Sequence, residues 1–220
     1  MTGAFRRVHL LVEGQTEEVV ADSVIRPHLE GLGWVTSVSL VKTKRPAAGP
    51  SHKGGITGWA QVQRDVRLLL NDTSLDVLTT VFDYYAFPAD CPGMADRPFG
   101  DVYERVEHVE HRLAEAVGDP RFRPNLVIHE LEAWVFAAAE ELGQLLGGEL
   151  AARLRDDVHR AGGPELINDG PATAPSKRLL AYHPGYVKTI DGPLAVQDLG
   201  LARLRAACPH LDRWLGAFEG

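Results

Sequence analysis

The sequence predicts an α/β protein: a mostly parallel sheet of about four strands flanked by helices, with a helical extension after it. Three observations carry that expectation. β-rich apolar runs alternate with helix-periodic segments through the first two thirds of the chain. Three of those runs stop at a carboxylate. Beyond residue 148 the strand pattern ends, and only helical and irregular sequence follows.

Taken in order, FRRVHLLVEG reads as a buried first strand; it ends in Glu13 and lacks a small-residue cleavage site, unlike a signal peptide. TEEVVADSVIRPHLEGLG reads as a helix, with Thr16 as its N-cap and acids in the first turn. WVTSVSLVKTK alternates β-branched residues and gives the second strand, and RPAAGPSHKGGITG is a Pro/Gly loop. Trp59, Val62, Val66 and Leu69 then recur at helical spacing. DVLTTVFDYY is the third strand, AFPADCPGMADRPFG a loop, and Val102, Val106, Val109 and Leu113 mark another amphipathic helix. NLVIHE is expected to be a fourth strand running straight into the helix LEAWVFAAAEELGQLLG. The chain thus divides into an α/β core over 1–148 and a helical or irregular extension over 149–220. No linker separates the two, so the extension is expected to pack on the core.

Composition narrows the class. The 220 residues are 45% hydrophobic and 24% charged, an ordinary globular balance. No stretch approaches the ~20 apolar residues that span a bilayer. Cys91 and Cys208 give neither zinc spacing nor a disulfide framework, consistent with two thiols in a reducing cytoplasm. A net charge of −7 speaks against a free-standing, high-affinity nucleic-acid binder, although a catalytic carboxylate cluster would itself add to that charge. The charge is uneven. No acid lies between Glu30 and Asp65, a window that holds Lys42, Lys44, Arg45, His52 and Lys53. The window reads either as a solvated loop or as a basic loop in which Lys42, Lys44, Arg45 and Lys53 touch a phosphate backbone.

In open parallel sheets, functional groups gather outside the carboxyl ends of the strands. The first strand ends at Glu13, the third at Asp83, and the fourth at Glu130 with Glu132 close behind. Carboxylates converging there would repel one another unless a cation neutralised them, and hard oxygen ligands suit Mg²⁺ or Mn²⁺. Such an ion can generate hydroxide and stabilise charge on a phosphoryl group. Each acid also has a structural reading. Glu13-Gly14 can close a strand, Asp83 can serve a turn, and Glu130 and Glu132 can complement a helix dipole. His129 reads more readily as a structural hydrogen-bonding residue than as a ligand. His108 and His111, with Glu104, Glu107 and Glu110, read as a solvated helix face. HELEA places Ala133 where a zinc protease needs its second His, GPSHKGG lacks P-loop spacing, and no GxSxG elbow occurs.

VEGQTE followed by an Asp-ended strand resembles the Toprim fold of topoisomerases, primases and overcoming-lysogenization-defect nucleases. A closer resemblance is to a Toprim-like bacterial family named as a domain of unknown function. It extends almost end to end through VEGQTE, VFDYYAFP, HELEAW, PELINDGPATAPSKRL and CPHLDRWL. The resemblance implies that Glu13 matches the Toprim glutamate, as general acid/base or metal ligand. Asp83 would match the first Asp of the DxD motif. The second is replaced, since the run reads Asp83-Tyr84-Tyr85. Glu130 and Glu132 would supply the missing carboxylates, and Lys177 would stabilise transition-state charge. His129, Glu165, Asn168 and Ser176 would stand behind them, Glu165 and Asn168 serving equally well as loop caps.

The expected function is Mg²⁺-dependent (or Mn²⁺-dependent) cleavage of DNA or RNA by activated water. By resemblance, the chain would be the effector beside an ABC- or SMC-like ATPase in phage defence, with the negative charge fitting a protein that a partner brings to nucleic acid. Two alternatives stand beside it: a non-catalytic partner or regulatory subunit retaining the fold, and a metal-dependent phosphatase or phosphotransfer enzyme for a small substrate. DNA versus RNA, the number of metals and any homo-oligomeric state stay open.

Overall fold

The computed structural model describes residues 5–42, 55–167, 170 and 173–220. Strand β1 (Arg6–Val12) sends Val8, Leu10 and Val12 to one core cluster and Leu11 to the other, the alternation of a strand buried on both faces. It pairs in parallel with β2 (Trp34–Leu40) on one side and β3 (Val77–Asp83) on the other. The short segments β4 (Phe122–Arg123) and β5 (Leu126–Val127) both pair in parallel with β3. The strand order is β2-β1-β3-β4, with β5 also on β3. The expected mostly parallel sheet is therefore present. In the register, Val12 lies opposite Leu40 and Val81, and Asp83 opposite Val127, so these strands finish at one edge.

Helices cover both faces, as parallel crossovers require. On one face, α3 (Trp59–Leu70) and α4 (Val102–Val117) bury Val62, Val66, Val106, Val109 and Leu113 against Leu11, Leu78 and Phe82. The Asp101 side chain caps α4 by accepting the Glu104 N–H at 2.9 Å. The opposite core takes α1 (Gln15–Val20), α2 (Arg26–Gly31), α5 (Glu132–Ala137), α6 (Ala139–Leu146) and α7 (Gly148–Ala161). It also takes α8 (Pro175–Tyr182), α9 (Asp191–Leu199), α10 (Leu201–Ala207) and α11 (Pro209–Gly216). Leu204, Leu211, Leu215 and Phe218 thereby share a core with Val8, Leu10 and Val12. The indole N–H of Trp214 donates to Thr79 Oγ1 at 2.9 Å, and that of Trp34 donates to the Phe218 carbonyl at 3.1 Å.

Five local expectations are corrected. Thr16 is not an N-cap: it lies buried inside α1, the cap position is Gly14, and no side chain caps that helix. The first helical run is not uniform, because a π-helical segment over Ala21–Ile25 separates α1 from α2. The fourth strand is broken. Pro124 has no N–H to give the ladder, and Thr80 Oγ1 takes both backbone groups of Asn125, accepting its N–H at 2.9 Å and donating to its carbonyl at 2.7 Å. Nor does that strand run straight into a helix. His129 has a positive φ of 63°, its carbonyl accepts the Tyr85 N–H at 2.6 Å, and the helix that follows divides at Ala138. Glu110 also leaves the solvated face assigned to it: it accepts the Leu126 N–H at 2.7 Å and pairs with His210 at 3.0 Å.

Candidate active site

Glu13 follows β1 directly and Asp83 closes β3, so the parallel register makes them neighbours. The Glu13 N–H donates to the Val81 carbonyl at 3.2 Å, and Glu13 Oε2 accepts the Asp83 N–H at 3.3 Å. Asp83 Oδ1 in turn accepts the Leu131 N–H at 2.9 Å, which ties the end of β3 to the start of α5. Glu132, at the first position of α5, is fully buried, with its Oε2 3.0 Å from Lys188 Nζ. Oε1 of Glu132 has no hydrogen-bond partner among the described residues. Glu17 completes the group. A Cβ on Gly14 would lie 2.8 Å from Glu17 Oε2, so the glycine leaves room for this buried acid to fold back over the strand end.

The electrostatics are those of crowded acids. Burial, then Glu17, raises the Glu13 pKa above the ordinary carboxylate range, against N–H donation from Asp83 and Ile56. Burial, then Glu17, pushes Asp83 well above that range; Lys188 opposes the shift and Glu13 and Glu132 add to it. Burial raises Glu132 too, with Lys188 opposing. For Lys188, burial favours the neutral amine, but Glu132, Asp83 and Glu17 together outweigh it and hold the ammonium charged. One ammonium thus faces Glu13, Glu17, Asp83 and Glu132 and leaves most of their charge unneutralised when all are ionised.

Raised carboxylates fix a pH dependence. Between the unfolded value, about 4, and the higher folded value, the native state binds more protons than the unfolded chain. Stability from Glu13, Asp83 and Glu132 therefore falls as pH rises through that window. The half-buried Asp119 and the exposed Glu219, held low by hydrogen bonds from Arg121 and Arg205, act below it. Melting in chelator is expected to show a Tm that declines from mildly acidic to mildly alkaline pH, with a shallower decline in Asp83→Asn. An equal slope in both proteins would remove Asp83 from this account.

The other sequence candidates take different places. Glu130 accepts the Ser176 N–H at 2.9 Å on one oxygen and the Ser176 hydroxyl at 3.0 Å on the other, so its carboxylate caps the N-terminus of α8. Both oxygens thus each take one hydrogen bond from Ser176. Lys177, next in that first turn, is exposed. Glu165 accepts the N–H groups of His210 at 3.0 Å and Leu211 at 3.3 Å; it fastens α11 and does not stand behind the acidic group. His129 contributes the left-handed kink that aims Glu130 and Leu131 toward the sheet edge. Lys42 follows β2 at the same edge, its N–H held by Asp65 Oδ2 at 2.7 Å, while Lys44, Arg45, Lys53 and Asn168 lie outside the described residues. Sequence reasoning missed Glu17 and Lys188. The first was legible four residues after Glu13 in VEGQTE, whereas GYVKTI gives Lys188 no distinguishing signal.

The donor chemistry fits a hard divalent cation: carboxylates of Glu13, Asp83 and Glu17 crowded at one sheet edge, with charge in excess of the single ammonium. Glu13, Asp83 and Glu17 are the residues that would hold one. Among the described residues, no group of three or more His, Cys, Asp or Glu side chains stands ready-arranged as a metal-ligand set.

Fold and site together define an α/β protein with a buried acidic group at the carboxyl edge of a parallel sheet. A family model described as a domain of unknown function (DUF4276) matches residues 12–219, and the chain belongs to that family. No curated protein sequence matches it. Among solved structures, it is similar to the C-terminal region of the Burkholderia pseudomallei OLD protein, at 15% identity over 98% of each chain with a TM-score of 0.48. It is also similar to the C-terminal region of the Xanthomonas campestris pv. campestris OLD protein, at 18% identity over 98% of this chain and 99% of that one, with a TM-score of 0.42.

Proposed function

We propose that this chain is a metal-dependent phosphodiester hydrolase acting on DNA or RNA. The observation that carries the reading is the meeting of Glu13 and Asp83, from two separate strands, beside Glu17, Glu132 and the Lys188 ammonium. When bound, Mg²⁺ or Mn²⁺ supplies an activated water and neutralises charge on the phosphoryl oxygens. Glu13 accepts a proton from the attacking water; burial and Glu17 raise its pKa above the ordinary carboxylate range, which strengthens it as a base. Asp83 keeps its Oδ1 on the Leu131 N–H, which fixes the carboxylate against the sheet edge. Lys188, held charged by Glu132, faces the negative charge that builds on the phosphoryl group. Lys177, exposed at the start of α8, would add positive charge toward the phosphoryl group.

The basic window supports a nucleic-acid substrate. Its described flanks reach the site: the Val41 N–H donates to the Val12 carbonyl at 2.9 Å, and the Ile56 N–H bonds the Glu13 carboxylate. Lys42 would then meet phosphates at this edge, and Lys44, Arg45 and Lys53 of the same basic window would add to the attraction for a phosphate backbone. Reversing the charges of Lys44 and Arg45 is expected to weaken nucleic-acid binding and to flatten its salt dependence by about two phosphate contacts. Unchanged affinity and slope would return the window to a solvated loop.

The resemblance to Toprim-like proteins that serve as effectors is what suggests a cytoplasmic role beside an ABC- or SMC-like ATPase in phage defence. Among the described residues no helix is long and apolar enough to cross a membrane. The direct test incubates the chain, with and without the candidate ATPase, on plasmid DNA and structured RNA in Mg²⁺, Mn²⁺ or chelator. Metal-dependent nicking is expected. A second reading, a non-catalytic ATPase partner, draws on Tyr85 in the place of a second acid and on Lys188 already neutralising Glu132. Tight ATPase binding with no cleavage in any metal would favour it.

A further inference from the structure

The backbone of Lys42 is gripped from both sides by one helix. Gln61, Arg64 and Asp65 are spaced on α3 so that they share a face, beside the Val62 and Val66 that pack on the sheet. Asp65 Oδ2 accepts the Lys42 N–H at 2.7 Å. The Lys42 carbonyl accepts from Arg64 Nη2 at 3.2 Å and from Gln61 Nε2 at 3.4 Å. Asp65 is buried, and Arg64 Nε donates to its other oxygen at 3.1 Å.

Gln61 reaches the chain a second time. Its Nε2 also donates to the Gly55 carbonyl at 3.4 Å, while its Oε1 accepts the Thr57 hydroxyl at 2.6 Å and the Thr57 N–H at 3.0 Å. An amide has two hydrogens for two carbonyls and an oxygen with two lone pairs for two donors, so the whole group is used. One side chain thereby joins Lys42 to Gly55–Thr57. Both stretches border the acidic group. The Val41 N–H donates at 2.9 Å to the carbonyl of Val12, the residue before Glu13, and Ile56 lies between Gly55 and Thr57 and bonds Glu13. The helix is anchored as well, since Asp90, in the loop after β3, accepts the Trp59 N–H at 3.0 Å. A role at the start of α3 explains only half of this. Gln61 stands three residues past the Gly58 cap, where Glu and Gln both reach back to the preceding chain. Glutamate would serve Thr57 equally, but it has no hydrogens for the two carbonyls.

We propose that Gln61 is a positioning residue: its amide ties Lys42 to Gly55–Thr57 and so holds Lys42 beside the strand end that carries Glu13, where it meets a nucleic-acid phosphate. The phosphate contact rests on the phosphodiesterase reading; the tie does not.

The experiment compares Gln61→Leu and Gln61→Glu with the wild-type chain. Leucine removes all these contacts, whereas glutamate keeps the acceptor for Thr57 and loses both links to carbonyls. Amide hydrogen exchange followed by NMR reads the tie. The Lys42 N–H is expected to exchange several-fold faster in both variants, although Asp65, its own acceptor, is untouched. The Thr57 N–H is expected to quicken only in Gln61→Leu. Cleavage of an oligonucleotide by Gln61→Leu, which adds no charge, is expected to show a several-fold higher KM at unchanged kcat. A wild-type exchange rate at Lys42 in either variant would overturn the tie and leave Gln61 a helix-start residue. Faster exchange with an unchanged KM would overturn the positioning role. If the wild-type chain cuts nothing, the phosphodiesterase reading fails, while the exchange rates still decide whether Gln61 holds Lys42.

Discussion

Replacing Glu13 with glutamine is expected to lower cleavage by roughly a hundred- to ten-thousand-fold, the range over which general bases contribute. The fold should survive, because Gln is nearly isosteric and its side-chain carbonyl can still accept the Asp83 N–H that Glu13 Oε2 takes at 3.3 Å. Charge and basicity are what the substitution removes. Glu13 is held above the ordinary carboxylate range by burial and by Glu17, so a neutral side chain relieves repulsion in the metal-free protein. Melting without metal should therefore hold or rise, and the Tm gained on adding Mg²⁺ should shrink. Melting curves with and without Mg²⁺, beside a nicking assay, read both effects. Wild-type cleavage by the variant would remove Glu13 from the mechanism, and a drop in metal-free Tm would make it a structural turn residue.

Lys188→Met is expected to destabilise the chain by about 3 kcal/mol, the low end of the range for breaking a buried pair. The low end applies because the two partners differ: Glu132 has no exposed side-chain surface, while Lys188 retains 42%. Water therefore softens the loss of the cation but cannot reach the acid. For a chain of this length that corresponds to a Tm lower by about 6–12 °C. Glu132 can escape the penalty by taking up a proton, so the deficit should be smaller at pH 5 than at pH 8. Methionine at both positions should recover most of the stability, since a well-packed apolar pair can replace a buried ion pair. A single variant as stable as wild type at pH 8 would show that Glu132 does not depend on Lys188.

Much of the architecture was legible because it is periodic. Val8, Leu10 and Val12 alternate with Leu11 as a doubly buried strand must, and the helical spacing of Val102, Val106, Val109 and Leu113 matches the face that α4 buries. The meeting of Glu13 and Asp83 followed from the same reasoning, since parallel strands that end in acids bring those acids to one edge. Partner choice was not legible. Nothing local distinguishes Glu130, whose oxygens go to Ser176, from Glu132, which goes to Lys188 56 residues away in the chain. A helix N-terminus needing a cap is a tertiary fact, and so is the lysine that a buried acid recruits. Asn125 reads as strand by pattern, yet the Thr80 hydroxyl takes its backbone groups.

That broken outer strand bears on how copies of the chain meet one another. An unbroken strand at the rim of a sheet offers a row of free N–H and C=O groups, a template on which a neighbouring molecule can add its own strand. Here the row is consumed from within. The Phe122 N–H goes to the Asp119 carbonyl at 2.9 Å, Pro124 has none, the Asn125 N–H goes to Thr80, and the Leu126 N–H goes to Glu110. With three successive donors withdrawn, this rim offers another backbone a broken row to pair with. Concentrated solutions are thus guarded there against runaway sheet extension, by donors turned inward and by the Glu110–His210 pair that α4 and α11 set across the rim.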